Sequence, residues 1–238
     1  MLVAKVNPRI LSAFWAEKHM VPKDIEIALA HLPILEALLP PAIVSKKPKF
    51  IHMMGGPGYG KSSVVNGLFE HTQIRQQMFC LSFDRVMEAL PGYQQDLEEK
   101  GNVDAFNRWE LPTLVLGYAL LGSMLERKVS GIFDHSASDR RHVHLLLDIK
   151  RRGYDVKMIS LDVSLETALH RVRERRVKPG ARYTSDEMVM ERHGIITQLA
   201  PTYRRHFDVT NFNNEKPLDI RALDIIIASI SGNDQARV

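Results

Sequence analysis

Phe50-Ile51-His52-Met53-Met54 runs directly into Gly55-Gly56-Pro57-Gly58-Tyr59-Gly60-Lys61-Ser62, and the fold is decided in this stretch. The second half satisfies G-x-x-x-x-G-K-[ST] at every fixed position. Such a pattern is specific only in context, because a strand must precede it and a helix must follow. Phe50–Met54 is a compact apolar run suited to a buried strand, and Ser62–Phe69 reads as a helix. The alternative, a chance glycine-rich turn, supplies neither flank. Glycines let the backbone wrap an anion, so that its N–H groups converge on a phosphate at the positive end of the helix. Gly55, Gly56, Pro57, Gly58, Tyr59, Gly60, Lys61, Ser62 and Ser63 are the expected nucleotide-binding positions. Lys61 can reach the terminal phosphates, and the Ser62 hydroxyl is the expected ligand of Mg²⁺.

Outward from this loop the pattern alternates. Phe79–Phe83, Gly131–Phe133 and Val156–Leu161 read as further strands, and Phe207–Asn211 as a last one. Helices are expected at Asp104–Lys128, Asp139–Arg152, Ser164–Arg176, Glu187–Leu199 and Pro217–Ile230. Strand–helix alternation argues for an α/β P-loop NTPase fold, a mostly parallel sheet with helices on both faces. Upstream, Arg9–Lys18 and Lys23–Leu39 read as helices, the second stopped by Pro40-Pro41. The expected division is a helical N-terminal extension at 1–44 and a P-loop kinase domain at 45–238.

Composition narrows the class. The chain has 238 residues, 45% hydrophobic and 25% charged, as in an ordinary globular protein. The apolar stretch Thr113–Leu125 is too short to span a bilayer. No signal peptide is read at the N-terminus. The single cysteine, Cys80, forms no internal disulfide and points to a reducing compartment, so a cytoplasmic location without membrane association is expected. A net charge of +4 is too small to imply nucleic acid without a clustered patch.

The remaining chemistry rests on strand ends and on arginines. Asp84 follows the second strand, where ligands of open α/β sheets bind, and could accept the proton of an acceptor hydroxyl. It could equally cap the next helix. Asp134 follows the third strand and, with Ser136, could hold a substrate hydroxyl or a Mg²⁺-bound water, or be a turn carboxylate. Arg171, Arg173, Arg175, Arg176 and Arg182 crowd one segment. Arg171 and Arg175 share a helical face and Arg173 points elsewhere. Cations over a transferring phosphoryl group would stabilise its spread negative charge; a solvated basic face or a nucleic-acid patch are the other readings. His142 and His144 do not share a helical face, so the two are not expected to form a zinc pair, and His52 reads as a satisfied core or edge residue.

Taken in order, these residues resemble the zeta-toxin family. The loop at 55–63, Phe83-Asp84 leading to Pro91-Gly92-Tyr93, Phe133-Asp134-His135-Ser136, the Gly153-Tyr154 pair, and Arg171 through Arg175 to Gly180-Ala181-Arg182 are similar to that family's ordered motifs. Leu90 stands where the family usually has histidine, and Asp134 where it has glutamate. The resemblance implies an ATP- and Mg²⁺-dependent kinase acting on a small-molecule acceptor, with UDP-N-acetylglucosamine phosphorylated on its 3′-hydroxyl in the best-known case and a protein antitoxin as partner. It implies Asp84 as catalytic base and Lys61, Arg171 and Arg182 as catalytic cations. It also implies Arg175 at the nucleotide and Asp134 and Ser136 at the acceptor. Two rival readings remain: a nucleic-acid kinase, and a nucleotide-dependent interaction module without turnover.

Overall fold

In the computed structural model, which describes residues 22–40, 47–70, 72–177, 184–216 and 220–231, Lys49–Met54 forms the strand β1. Strand side chains alternate between faces, and in β1 both sets are buried, as a strand covered on both sides requires. Ile51 and Met53 enter one core. Phe50, which packs on Phe133 and Tyr154, and His52, which packs on Phe133 and His142, enter the other.

The described helices before β1 are α1 (Pro22–Ala30) and α2 (Leu32–Glu36). After it come α3 (Lys61–Glu70), α4 (Thr72–Gln77), β2 (Phe79–Ser82), α5 (Phe83–Glu88), α6 (Pro91–Lys100) and α7 (Asn102–Glu126). The chain continues through β3 (Gly131–Asp134), α8 (Arg141–Arg151), β4 (Asp155–Asp162) and α9 (Leu165–Arg176). It ends with α10 (Asp186–His206), β5 (Asp208–Asn213) and α11 (Ile220–Ser231). The sheet order is β2-β3-β1-β4-β5. β1 pairs in parallel with β3, Phe50 opposite Gly131, and with β4, Phe50 opposite Val156; β4 pairs in parallel with β5, Ile159 opposite Thr210. This is the α/β P-loop architecture that the strand–helix alternation indicates, with helices on both faces.

Several elements depart from the sequence expectation, and the single helix expected at Lys23–Leu39 is two, α1 and α2, separated at His31. Phe83 opens α5 instead of closing β2, and α4, α5 and α6 are additional short helices. Pro91 stands in the first turn of α6, where a proline's missing N–H costs nothing. α10 continues through Pro201 to His206, past the expected stop at Leu199, because its apolar residues Leu199, Ala200 and Tyr203 remain buried beyond the proline. The expected helix at Arg9–Lys18 lies outside the described residues.

By internal packing the described chain falls into two compact units. One holds residues 47–80, 130–177, 184–216 and 220–231. Its core joins Ile51 and Met53 to Val64, Val65 and Leu68 of α3, Ile159 and Leu161 of β4, Val172 of α9 and Ile226 of α11. Leu68 is fully buried, and its truncation to alanine would cost about 2–5 kcal/mol. Ser164 caps α9 by accepting the Thr167 N–H, and Ser185 caps α10 by accepting that of Met188, each cap contributing about 1 kcal/mol.

The other unit holds residues 22–40 and 81–129. Its long helix α7 carries the apolar run at 113–125, buried here among helices. Arg108 donates to both carboxylate oxygens of Asp24, at 2.8 and 3.1 Å, and to Asp96 at 2.8 Å. Asp96 also accepts from Trp109 Nε1 at 2.8 Å and Lys100 at 2.6 Å, and these donors hold its carboxyl down to about 2, Lys100 foremost. Phe83 packs over Gly117 of α7, where a Cβ would lie 2.3 Å from the ring. Among the described residues no helix is long and apolar enough to cross a membrane.

Candidate functional site

The phosphate loop leaves β1 at Gly55 and enters α3 at Lys61. Two of its glycines are required by geometry. Gly58 has φ 80°, and a Cβ on it would meet the Ala168 carbonyl oxygen of α9 at 2.3 Å; Gly60 has φ 82°, and its Cβ would meet Asn214 Nδ2 at 2.5 Å. Tyr59, between them, is buried, with its hydroxyl 2.5 Å from His193 Nδ1 of α10. Burial, reinforced by Asp162 and Glu215, pushes that hydroxyl up to about 12, so it stays protonated.

Backbone and side-chain hydrogen bonds brace the loop. The Gly55 N–H donates to the Ser136 carbonyl at 3.2 Å, tying the loop to the segment after β3. Asn214 Nδ2 donates to the Tyr59 carbonyl at 2.6 Å. Lys61 Nζ donates to the Gly56 carbonyl at 3.2 Å, which lays the ammonium across the loop. Ser62 Oγ donates to Asp134 Oδ2 at 3.4 Å. A hydroxyl and a carboxylate brought together at the end of β3 form the all-oxygen donor set that suits Mg²⁺, which prefers few protein ligands beside water and phosphate.

The arginine segment sorts as helical geometry requires. Arg171 donates to the carbonyls of Gly58 (3.4 Å), Asn214 (2.8 Å) and Glu215 (3.0 Å), bracing the loop against the segment after β5. Glu215 in turn accepts from Thr167 Oγ1 at 2.6 Å and from the Ser164 N–H, and these bonds lower its carboxyl below the usual range. Arg173 turns away to Asp186 of α10 at 2.6 Å, which Arg176 also reaches. Asp186 is lowered by Arg173 first and then by Arg176. Arg175 is exposed and donates to Thr184 Oγ1 at 3.1 Å. Arg182 lies outside the described residues.

Ser136 Oγ pairs with Ser138 Oγ at 2.6 Å, and Ser138 accepts from Arg192 of α10 at 3.0 Å. Arg192 and Lys61 both lie close enough to His135 to lower its proton affinity, after the larger effect of burial. Sequence reasoning missed Arg192, because an isolated arginine within a mixed-charge helix gives no signal. It missed Asn214 because that contact spans the whole domain. Asp84, in the other unit, is half-buried in the first turn of α5. The N-cap position of that helix is Ser82, which makes no side-chain cap bond.

The fold and this loop define a protein of the P-loop NTPase class. The sequence model of the zeta toxin family matches residues 40–214, and the chain belongs to that family. It is an ATP-dependent phosphotransferase. No curated protein matches it in sequence. Among solved structures it is similar to a protein from the PezAT chromosomal toxin–antitoxin system of Streptococcus pneumoniae (TM-score 0.59, 15% identity, 90% of each chain covered). It is also similar to a candidate kinase from Chloroflexus aurantiacus (TM-score 0.53, 16% identity, covering 78% of this chain and 97% of that one). A third is the AvrRxo1-ORF1:-ORF2 structure with ATP (TM-score 0.58, 13% identity, 79% of this chain and 62% of that one). At these identities the likeness is one of fold.

Proposed function

We propose that the chain transfers the γ-phosphate of ATP to a hydroxyl of a small-molecule acceptor, with UDP-N-acetylglucosamine the first candidate. The observation that carries this is the preformed phosphate loop with Lys61 across it and Ser62 and Asp134 beside it. Lys61 leaves the Gly56 carbonyl for the β- and γ-phosphates. Ser62, with Asp134 beside it, would hold Mg²⁺, which would offset phosphate charge. Asp84 takes the acceptor proton as the new O–P bond forms. Arg171 holds the loop and, with Arg182 and Arg175, supplies positive charge around the phosphoryl group; Arg192 adds to it from α10. Ser136 orders the segment on which the acceptor rests.

A nucleic-acid role draws less support, since Arg173 and Arg176 spend their charge on Asp186. A protein antitoxin is the proposed partner, on the likeness to the streptococcal structure, and the N-terminal residues 1–44 are proposed as an extension of the kinase domain.

Labelled ATP offered with a panel of nucleotide sugars, free sugars and oligonucleotides, read by mass spectrometry, tests the reading. One small molecule is expected to gain a single phosphoryl group. Transfer to oligonucleotide ends alone, or nucleotide binding with no transfer to any member, would overturn it.

A further inference from the structure

Three histidines meet behind the phosphate loop: His52 from β1, His135 from the segment after β3, and His142 from α8. One nitrogen from each lies within 4.8 Å of the other two. His52 and His142 are buried and His135 half-buried. We propose that they form a binding site for a borderline divalent transition metal, with zinc the first candidate and water as a further ligand.

The His52 pair has the spacing such a site needs. Its Nε2 is 3.4 Å from His142 Nδ1. Zinc–imidazole bonds of about 2.0–2.1 Å at tetrahedral angles separate ligand nitrogens by about 3.3 Å. The other nitrogen of His52 is already oriented: Nδ1 donates to the Met53 carbonyl at 2.6 Å, the backbone contact that commonly fixes the tautomer of a metal-binding histidine. This leaves the lone pair on Nε2, facing His142.

In His135 the Ala137 N–H approaches Nδ1 at 3.2 Å, which places the lone pair there. Metal binding exchanges that weak contact for a coordinate bond. Ala137 itself is buried with φ 58°, a left-handed conformation unfavourable for a residue with a Cβ. Strain of this kind persists where the surroundings hold it, and it clusters at functional sites. Here it turns the chain so that His135 stacks on His142, ring centroids 4.0 Å apart and planes 20° apart. Parallel rings do not converge on one ion, so binding turns one of them out of the stack.

Electrostatics favours neutral ligands. Burial lowers His52 to about 3 and His142 to about 4, and lowers His135 well below its usual value. Protons therefore do not compete with a metal at neutral pH. Lys61, Arg192 and Arg141 oppose added positive charge at these histidines, while Asp139 favours it at His142. Nitrogen donors discriminate against Mg²⁺, which takes oxygen, so the nucleotide's cation and this one do not compete. A bound ion would pin the segment whose Ser136 carbonyl receives the Gly55 N–H of the phosphate loop.

The test uses the untagged full chain, stripped with chelator and free of nucleotide, titrated with Co²⁺ and then Zn²⁺. One cobalt per chain is expected, with the visible absorption of a tetrahedral site. One equivalent of zinc should displace it, a large excess of Mg²⁺ should not, and zinc should raise Tm. His142→Phe, which preserves an aromatic stack on Phe133, and His52→Gln should each weaken binding at least ten-fold. X-ray absorption of the wild-type zinc form should show three imidazoles, a readout that needs no variant to fold. Absence of a cobalt band together with no zinc-dependent rise in Tm would overturn the proposal, as would binding that survives in either folded variant.

Discussion

Asn214 Nδ2 donates to the Tyr59 carbonyl at 2.6 Å and stands 2.5 Å from the place a Cβ on Gly60 would take. One side chain from beyond β5 thus holds the loop and forbids a side chain in it. Gly60→Ala should therefore fail on two counts, the clash and a φ of 82°, lowering ATP affinity at least ten-fold with a stability loss of about 1–3 kcal/mol. Asn214→Ala leaves a buried carbonyl short of its donor and should cost about 1–3 kcal/mol. Because the two share one contact, their double-mutant cycle should show coupling in urea denaturation; strict additivity would refute the contact.

Lys61→Ala removes the ammonium that lies across the loop and should lower phosphoryl transfer by about 10²–10³-fold or more, the range for one preorganised electrostatic group. Single-turnover assays with a matched fold, checked by circular dichroism, provide the measurement. Wild-type turnover would exclude this loop as the ATP site.

Asp84→Asn should leave ATP affinity within a few-fold while turnover falls by about 10²–10⁴, as for a lost general base. Calorimetry and rapid-quench kinetics separate the two. Loss of stability with unchanged turnover per folded molecule would make Asp84 a residue of the first turn of α5 and nothing more.

The arginines of α9 should differ sharply. Arg171→Ala frees three backbone carbonyls around the loop and should lower kcat/KM at least ten-fold, about 1.4 kcal/mol or more. Lysine should rescue it only in part, since an ammonium cannot span the carbonyls as a planar fork does. Arg173→Ala should leave turnover close to wild type, because its partner is Asp186. Equal losses at both positions would contradict this division.

Asp96 links stability to pH. Its carboxyl is held down to about 2, below the ordinary 3.8, so its stabilising contribution is complete above 3.8 and shrinks as pH falls toward 2. Asp96→Ala should destabilise the protein by about 1–3 kcal/mol at neutral pH, since the buried Trp109 N–H loses its acceptor while Arg108 keeps Asp24. Denaturation at pH 6 and pH 3 should show a smaller gap between variant and wild type at the lower pH; a constant gap would mean that the carboxylate's charge is immaterial.

Local features were legible in the sequence. The strand, loop and helix at 50–69 are contiguous, and their chemistry depends on neighbours in the chain. The split between Arg171 and Arg173 follows from 100° per residue alone. The helix expected to end at Leu199 runs on to His206, because the burial of Tyr203 that holds its last turns is not visible in one dimension. Asn214, Arg192 and the three histidines act only through contacts with distant segments, and no spacing announces such meetings. Ser62 was legible as a member of the loop motif, but its approach to Asp134, which ties two motifs 72 residues apart, was not.

Gly58 lies so close to α9 that a Cβ on it would stand 2.3 Å from the Ala168 carbonyl oxygen, and Arg171 of the same helix donates to the Gly58 carbonyl, so the loop is packed against α9. A free glycine-rich segment would have to surrender its conformational entropy each time a nucleotide arrived. Here that entropy is lost once, when the polypeptide folds, and nucleotide association should carry only a small ordering penalty. The cradle's affinity is then bounded by how far ions and water must rearrange, not by how far the backbone must.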